Sequence, residues 1–119
     1  MASSVYPEGT PEIWKMKKEL APAQYEAFNA FSRAVFAEGA LPEKTKQLIA
    51  VAVAHVTQCP YCIKGHTELA SRKGASPEEI MEAIWVAAEM RAGGASAHST
   101  IAMHTLLAEA HKSEENAAD

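Results

Sequence analysis

The placement of proline constrains this chain more than any other feature. Proline cannot sit inside a helix, because its ring clashes with the preceding turn and it brings no N–H, yet it suits the first helical position. Pro22, Pro42, Pro60 and Pro77 each stand at the head of a helical pattern, and no proline follows Pro77. Residues 1–10 are small and polar, broken by Pro7 and Gly9, and read as a loose lead-in. Pro11 to Leu20 then carries Ile13, Trp14, Met16 and Leu20 against Lys15, Lys17 and Lys18, a short amphipathic helix. From Pro22, apolar Tyr25, Phe28, Phe31, Ala34 and Val35 recur at helical steps until Gly39, a C-cap.

Pro42-Glu43 opens a third helix, with a carboxylate in its first turn. Leu48 to Val56 is apolar on nearly every side and by periodicity alone is either a buried strand or a buried helix. The start signal at Pro42 and the polar lead Lys44-Thr45-Lys46-Gln47 favour the helix. Such a helix must be covered all round, which in one small domain calls for a subunit interface as well as a core. Pro60 ends that helix and starts another, Tyr61 to Lys73, closed by Gly74. Ser76-Pro77-Glu78-Glu79 is a capping box, followed by Ile80, Ile84, Trp85, Ala87 and Ala88 on an inward face. Gly93-Gly94 breaks the pattern. A last helix over Ala95 to His111 turns Ile101, Met103, Leu106 and Leu107 inward, and residues 113–119 fray. The fold class is all-α: a single helical domain over 11–112, oligomeric. Trp14, Trp85 and the methionines read as core.

With 119 residues there is room for one domain. The net charge of −4 and the lack of a Lys/Arg cluster argue against nucleic acid. The longest apolar run is far too short for a membrane span. Residues 1–9 lack the pattern of a signal peptide, so a cytoplasmic location is the default.

The chemistry is concentrated at Cys59-Pro60-Tyr61-Cys62, which holds both cysteines of the chain, with His66 four residues beyond. In a reducing compartment such a pair is more often catalytic or metal-binding than a structural staple. With Cys59 at the helix N-cap and Cys62 one turn inside, the positive end of the helix favours a thiolate in this region. His66 shares a helix face with Cys62 and serves it as imidazolium partner or as base. A hydroperoxide would oxidise that sulfur to a sulfenic acid, and the other sulfur would condense with it to a disulfide. Against this stand two plainer readings. The cysteines are small buried hydrophobes, or zinc is held by Cys59, Cys62, His66 and His55, a minority reading because no second standard ligand pair is present. His55 is more often a core or interface histidine than a catalyst, and His98, His104 and His111 are read as helix surface.

Lys44 to Ala50, Ala54 to Cys62 with His66, and Gly74 to Ile80 together resemble the carboxymuconolactone decarboxylase superfamily, within it the alkylhydroperoxidase D-like (AhpD-like) branch. The likeness spans about residues 20–110. It implies an all-helical bundle assembling as a homotrimer or homohexamer, without cofactor or metal. The implied substrate is a hydroperoxide or other small molecule, and the implied partner is a dithiol reductant protein. It implies that Cys62 is peroxidatic, Cys59 resolving and His66 a relay histidine. The family's relay glutamate, twelve residues before the first cysteine, falls on Gln47 here. An amide can orient His66 but not take up its proton, and Glu43, one turn earlier, is a candidate substitute, or a water. The superfamily's lactone decarboxylases do not rely on such a pair, which disfavours that reaction. Cys-Pro-Tyr-Cys also matches the glutaredoxin site, but that fold needs a strand before the motif and a later cis-proline facing it; no proline follows Pro77, and Ser76-Pro77 reads as a helix start. The competing class is a redox sensor or scaffold whose cysteines react without turnover.

Overall fold

The computed structural model describes residues 5–118 and folds them into five helices: α1 Pro11–Leu20, α2 Pro22–Phe36, α3 Glu43–Thr57, α4 Pro60–Arg72 and α5 Pro77–Ala118. Among the described residues there is no strand, so the all-α expectation holds. All five helices have proline at their first position or immediately before it, where a missing N–H and a fixed φ are tolerated.

The core is small. Val51 of α3, Ala70 of α4 and Ala75 in the following turn are buried together, with Leu48, Ile80 and Ile84 packed against them. α3 therefore forms the central rib, flanked by α4 and the first half of α5. Ser76 and Glu79 cap α5 reciprocally: Glu79 N–H donates to Ser76 Oγ at 3.1 Å, and Ser76 N–H donates to Glu79 Oε1 at 2.9 Å. Glu79 Oε2 also meets Lys44 Nζ at 2.9 Å, which ties the start of α5 to that of α3.

Several packing expectations are not met, for one reason. α5 runs unbroken for 42 residues, about 63 Å at the helical rise, and leaves the rest of the chain behind. Gly93-Gly94 does not end it, because alanines surround the pair, no proline follows, and two glycines cost only about 2 kcal/mol relative to alanine. Beyond Gly94 no other element of the described residues covers α5, so Ile101, Met103, Leu106 and Leu107 face outward. Trp85 is 65% exposed, and Trp14 and the methionines Met16, Met81, Met90 and Met103 are likewise on the surface rather than in the core. α2 buries no residue, and Phe28 and Phe31 lie open. α3 is covered on one side only, with Ile49, Val53 and Val56 exposed on the other. Residues 113–118 continue α5 as helix, and Asp119 lies outside the described residues.

The lead-in makes defined contacts in its described part. Tyr61 Oη donates to Pro7 O at 3.0 Å, Lys64 Nζ meets Glu8 Oε1 at 2.8 Å, and the Tyr6 ring stands edge-on to Tyr61. These contacts seat residues 6–8 on the first turns of α4. Residues 1–4 lie outside the described residues.

The radius of gyration is 22.3 Å, where a compact chain of this length has about 13.5 Å. The accessible surface is 9437 Å², against roughly 6300 Å² for a globular monomer of this mass.

Candidate functional site

The joint between α3 and α4 sets the sulfur geometry. Gln58 adopts the left-handed conformation, φ 55° and ψ 47°, which stops α3 and turns the chain sharply. Cys59 N–H then donates to Ala54 O at 3.2 Å, satisfying one of the carbonyls orphaned at the helix end. Pro60 starts α4, and Cys59 is its N-cap, as the spacing predicts. Its Sγ accepts from Cys62 N–H at 3.3 Å, the place an Asp or Ser oxygen more commonly fills. Both cysteines are free thiols, partly accessible.

This geometry separates the two sulfurs. Hydrogen bonds from the Cys62 thiol, then from the Cys62 and Tyr61 N–H groups, pull the Cys59 pKa below that of an ordinary thiol. The bond to Cys59 and then burial push Cys62 up. In the reduced pair the depressed thiol is therefore Cys59 rather than Cys62. The first cause is the hydrogen bond shared by the two thiols, and the helix N–H groups that converge on the capping sulfur add to it.

His66 is set from two directions. Its Nδ1 lies 2.7 Å from Gln47 Oε1. An amide oxygen only accepts, so Nδ1 carries the proton and Nε2 keeps its lone pair. Phe36 stacks on the ring, centroids 5.0 Å apart and planes 27° apart. Burial lowers the His66 pKa below its usual value, which keeps the imidazole neutral near pH 7. Gln47 is 5% exposed, the one buried polar side chain among the described residues.

Cys62 and His66, one turn apart on α4, face a cavity of about 400 Å³ between α2, α3 and α4. Its walls are apolar: Val35 and Phe36 from α2, and Ile49, Ala50, Val53 and Ala54 from α3, with Lys46 and Thr57 also contributing. Cys59 lies outside this lining. The arrangement gives one sulfur to an apolar pocket beside a neutral imidazole, and the other to the helix terminus.

Of the residues singled out in the sequence, Cys62 and His66 share the cavity, Gln47 bonds His66, and Cys59 caps the helix that carries both, outside the cavity lining. Glu43 and His55 are held elsewhere. The Glu43 carboxylate is paired with Lys73 Nζ at 2.7 Å, while His66 is bonded by Gln47. His55 Nδ1 bonds the Val51 carbonyl at 2.7 Å within its own helix and is absent from the cavity lining. The four residues of the zinc reading do not converge: among the described residues no three His, Cys, Asp or Glu side chains form a cluster that could hold a metal ion. Lys46 and Phe36 were not visible as site residues. Lys46 looks like part of a polar lead, and Phe36 like one more apolar residue of α2; only the adjacency of Lys46 to Gln47 hinted at a role.

A sequence model of the carboxymuconolactone decarboxylase family matches residues 22–105, which takes in every residue of this site. The chain belongs to the carboxymuconolactone decarboxylase family. Two relatives agree in extent. The chain is 67% identical over 81 residues to uncharacterized protein 4 in the cox locus of Paracoccus denitrificans, covering 68% of this chain and 73% of the relative. It is 34% identical over 82 residues to an uncharacterized protein of Cupriavidus necator, covering 69% and 73%. Among solved structures, a Methanobacterium thermoautotrophicum protein superposes with a TM-score of 0.65 at 39% identity, over 69% of this chain and 92% of the other. A carboxymuconolactone decarboxylase family protein from Legionella pneumophila, solved in its apo form, gives a TM-score of 0.60 at 36% identity, over 61% and 65%. In this family member, no helix is long and apolar enough to cross a membrane among the described residues.

Proposed function

We infer that the protein is a thiol-dependent peroxidase and disulfide oxidoreductase working through Cys62, Cys59 and His66 without a cofactor. The observation that carries this reading is that Cys62 and a neutral, oriented His66 line one apolar cavity while Cys59 sits on the adjoining helix cap.

In the first step His66 Nε2 takes the Cys62 thiol proton. The thiolate attacks the terminal oxygen of a hydroperoxide, so an S–O bond forms and the O–O bond breaks. The leaving alkoxide takes the proton from His66 and departs as an alcohol, with Cys62 oxidised to a sulfenic acid. Cys59 sulfur then attacks Cys62 sulfur, and an S–S bond replaces the S–O bond as water leaves. An external dithiol returns two electrons and two protons and resets the pair. The apolar walls suit an organic hydroperoxide. Gln47 orients His66 in this scheme and stores no proton.

A second reading follows from the depressed thiol at Cys59. Attack by Cys59 on the disulfide of a partner, with Cys62 resolving the mixed disulfide, is the same pair run with the opposite first sulfur. Anaerobic reaction with one equivalent of cumene hydroperoxide, followed by trapping of sulfenic acid and mass spectrometry, separates them. The peroxidase reading expects a Cys62 sulfenic acid in Cys59→Ser and turnover with a regenerating dithiol in wild type. No consumption of peroxide, together with rapid exchange of a disulfide through Cys59, would favour the second.

The surface supports a homo-oligomer as the working form. Exposed area exceeds the globular expectation by about 3000 Å² per chain, above the roughly 1000–2500 Å² that each partner gives to an obligate interface, and the apolar residues of α2, α3 and α5 are the surface that association would cover.

A further inference from the structure

We propose that Lys46 is a positioning residue that acts on the site through Phe36, holding the end of α2 so that its last ring stays stacked on His66. This rests on the reading of His66 as the proton carrier of Cys62.

Lys46 Nζ donates to Val35 O at 2.9 Å and to Ala37 O at 2.6 Å. These two carbonyls flank Phe36 in sequence at the C-terminal end of α2, where the last carbonyls lack partners within the helix and the helix dipole is negative. The ammonium thus satisfies orphan acceptors and neutralises the helix end together. Little else holds α2: the helix buries no side chain, its C-cap Ala37 brings only a backbone N–H, and Phe36 is the ring that reaches the cavity. The neighbouring residue in α3, Gln47, holds the edge of the same imidazole. Consecutive residues of one helix turn therefore fix His66 along two directions. Gln47 sets its edge directly, and Lys46 sets its face through Phe36. A reacting side chain held only at one edge can still swing about that bond. The face contact removes that freedom, and small misplacements of reacting groups are costly in rate.

The stack gives a signature independent of turnover. A ring lying on His66 shields the imidazole carbon-bound protons, which a proton NMR spectrum of the reduced protein reads directly once the His66 signals are assigned by their loss in His66→Gln. Phe36→Ala removes the shielding and sets the downfield reference. Lys46→Met keeps the aliphatic stem and removes the ammonium. It is expected to move the His66 signals to near the Phe36→Ala positions, Lys46→Arg to restore them, and Lys46→Met to add no further shift in the Phe36→Ala background. Peroxide reduction should fall about tenfold in Lys46→Met, short of the ~100-fold that a 1 Å misplacement can cost, and recover in Lys46→Arg. Circular dichroism checks that each variant keeps its helices. If Lys46→Met leaves the His66 signals in place, or shifts them equally without Phe36, the latch is refuted. Because that readout needs no substrate, a wild-type protein with the shielded signals but no peroxide turnover would instead defeat the peroxidase reading and leave the latch standing.

Discussion

Gln47 Oε1 and His66 Nδ1 stand 2.7 Å apart, an amide where a proton relay would use a carboxylate. The contact fixes a tautomer and an orientation, and it leaves the imidazole without a second proton acceptor. Gln47→Glu tests what the amide withholds. A carboxylate there would favour the imidazolium, so the His66 pKa, now lowered by burial, is expected to rise. Peroxide reduction should increase, up to on the order of 100-fold if the carboxylate completes general acid–base catalysis. Gln47→Leu should reduce it and cost roughly 1–3 kcal/mol of stability, since His66 Nδ1 loses its acceptor. NMR titration of His66 and peroxide-consumption kinetics check both variants.

The sulfurs are expected to titrate in the order the cap dictates. Cys59 is lowered and Cys62 raised, by their shared hydrogen bond in the first place. Alkylation by iodoacetamide followed against pH, with peptide mass spectrometry assigning the modified thiol, should therefore find Cys59 reacting at lower pH. Cys62→Ser should move Cys59 up somewhat, since the hydroxyl replaces the thiol donor only partly and the N–H bonds remain. Cys59→Ser should bring Cys62 down, because the competing thiolate is gone. A wild-type pair in which Cys62 reacts at the lower pH would overturn this order.

The cap of α5 carries a pH-dependent share of stability. The Ser76 N–H in the first place, and then Lys44, lower the Glu79 pKa from 4.5. A group whose folded pKa is depressed contributes above its unfolded pKa and loses that contribution as pH falls through the folded value. Glu79→Gln should thus lower the urea midpoint at neutral pH and make little difference at about pH 2–3. Ser76→Ala, which removes the other half of the box, should cost about 1 kcal/mol.

Much of this was written in the sequence at the level of starts and caps. Pro22, Pro60 and Pro77, the Ser76–Glu79 box and the Cys59 cap all act within one helical turn, where local chemistry decides. Tyr61 to Lys73 was displaced by only a residue for the same reason. What the sequence did not carry was which apolar faces find a partner inside this chain. Phe28, Phe31, Trp85 and Leu106 have the spacing of buried residues, and spacing cannot distinguish a core from an interface. Gly93-Gly94 misled because a glycine pair lowers helix propensity without forbidding a helix as proline does. Phe36 and Lys46 act through tertiary contacts with His66 and α2, and no local pattern encodes those.

The glycine pair also makes a prediction. An added Cβ at Gly94 meets nothing within 4 Å, and that at Gly93 meets only Glu89 side-chain atoms, at 3.5 Å or more. If α5 runs straight through, Gly93→Ala and Gly94→Ala should each stabilise by about 0.5–1 kcal/mol and slightly raise helix content by circular dichroism. Loss of helix content or stability would mean that the pair bends or closely approaches another subunit.

The exposed apolar residues give the sharpest test of assembly. Trp85 touches no core residue of this chain strongly enough to be buried, being 65% exposed, and Leu107 on the free half of α5 is equally open. A charge placed at such a position does little to a protomer that already presents it to water, whereas within an interface it is desolvated without a partner. Trp85→Glu and Leu107→Glu are therefore expected to lower the mass measured by sedimentation toward that of a 12.8 kDa monomer while α3 and α4 keep their helices. The dissociated form should be less stable as well, because removing a partner that binds only the folded state withdraws its mass-action stabilisation. Wild type sedimenting as a monomer at micromolar concentration would show that these faces serve something other than a second copy of the chain.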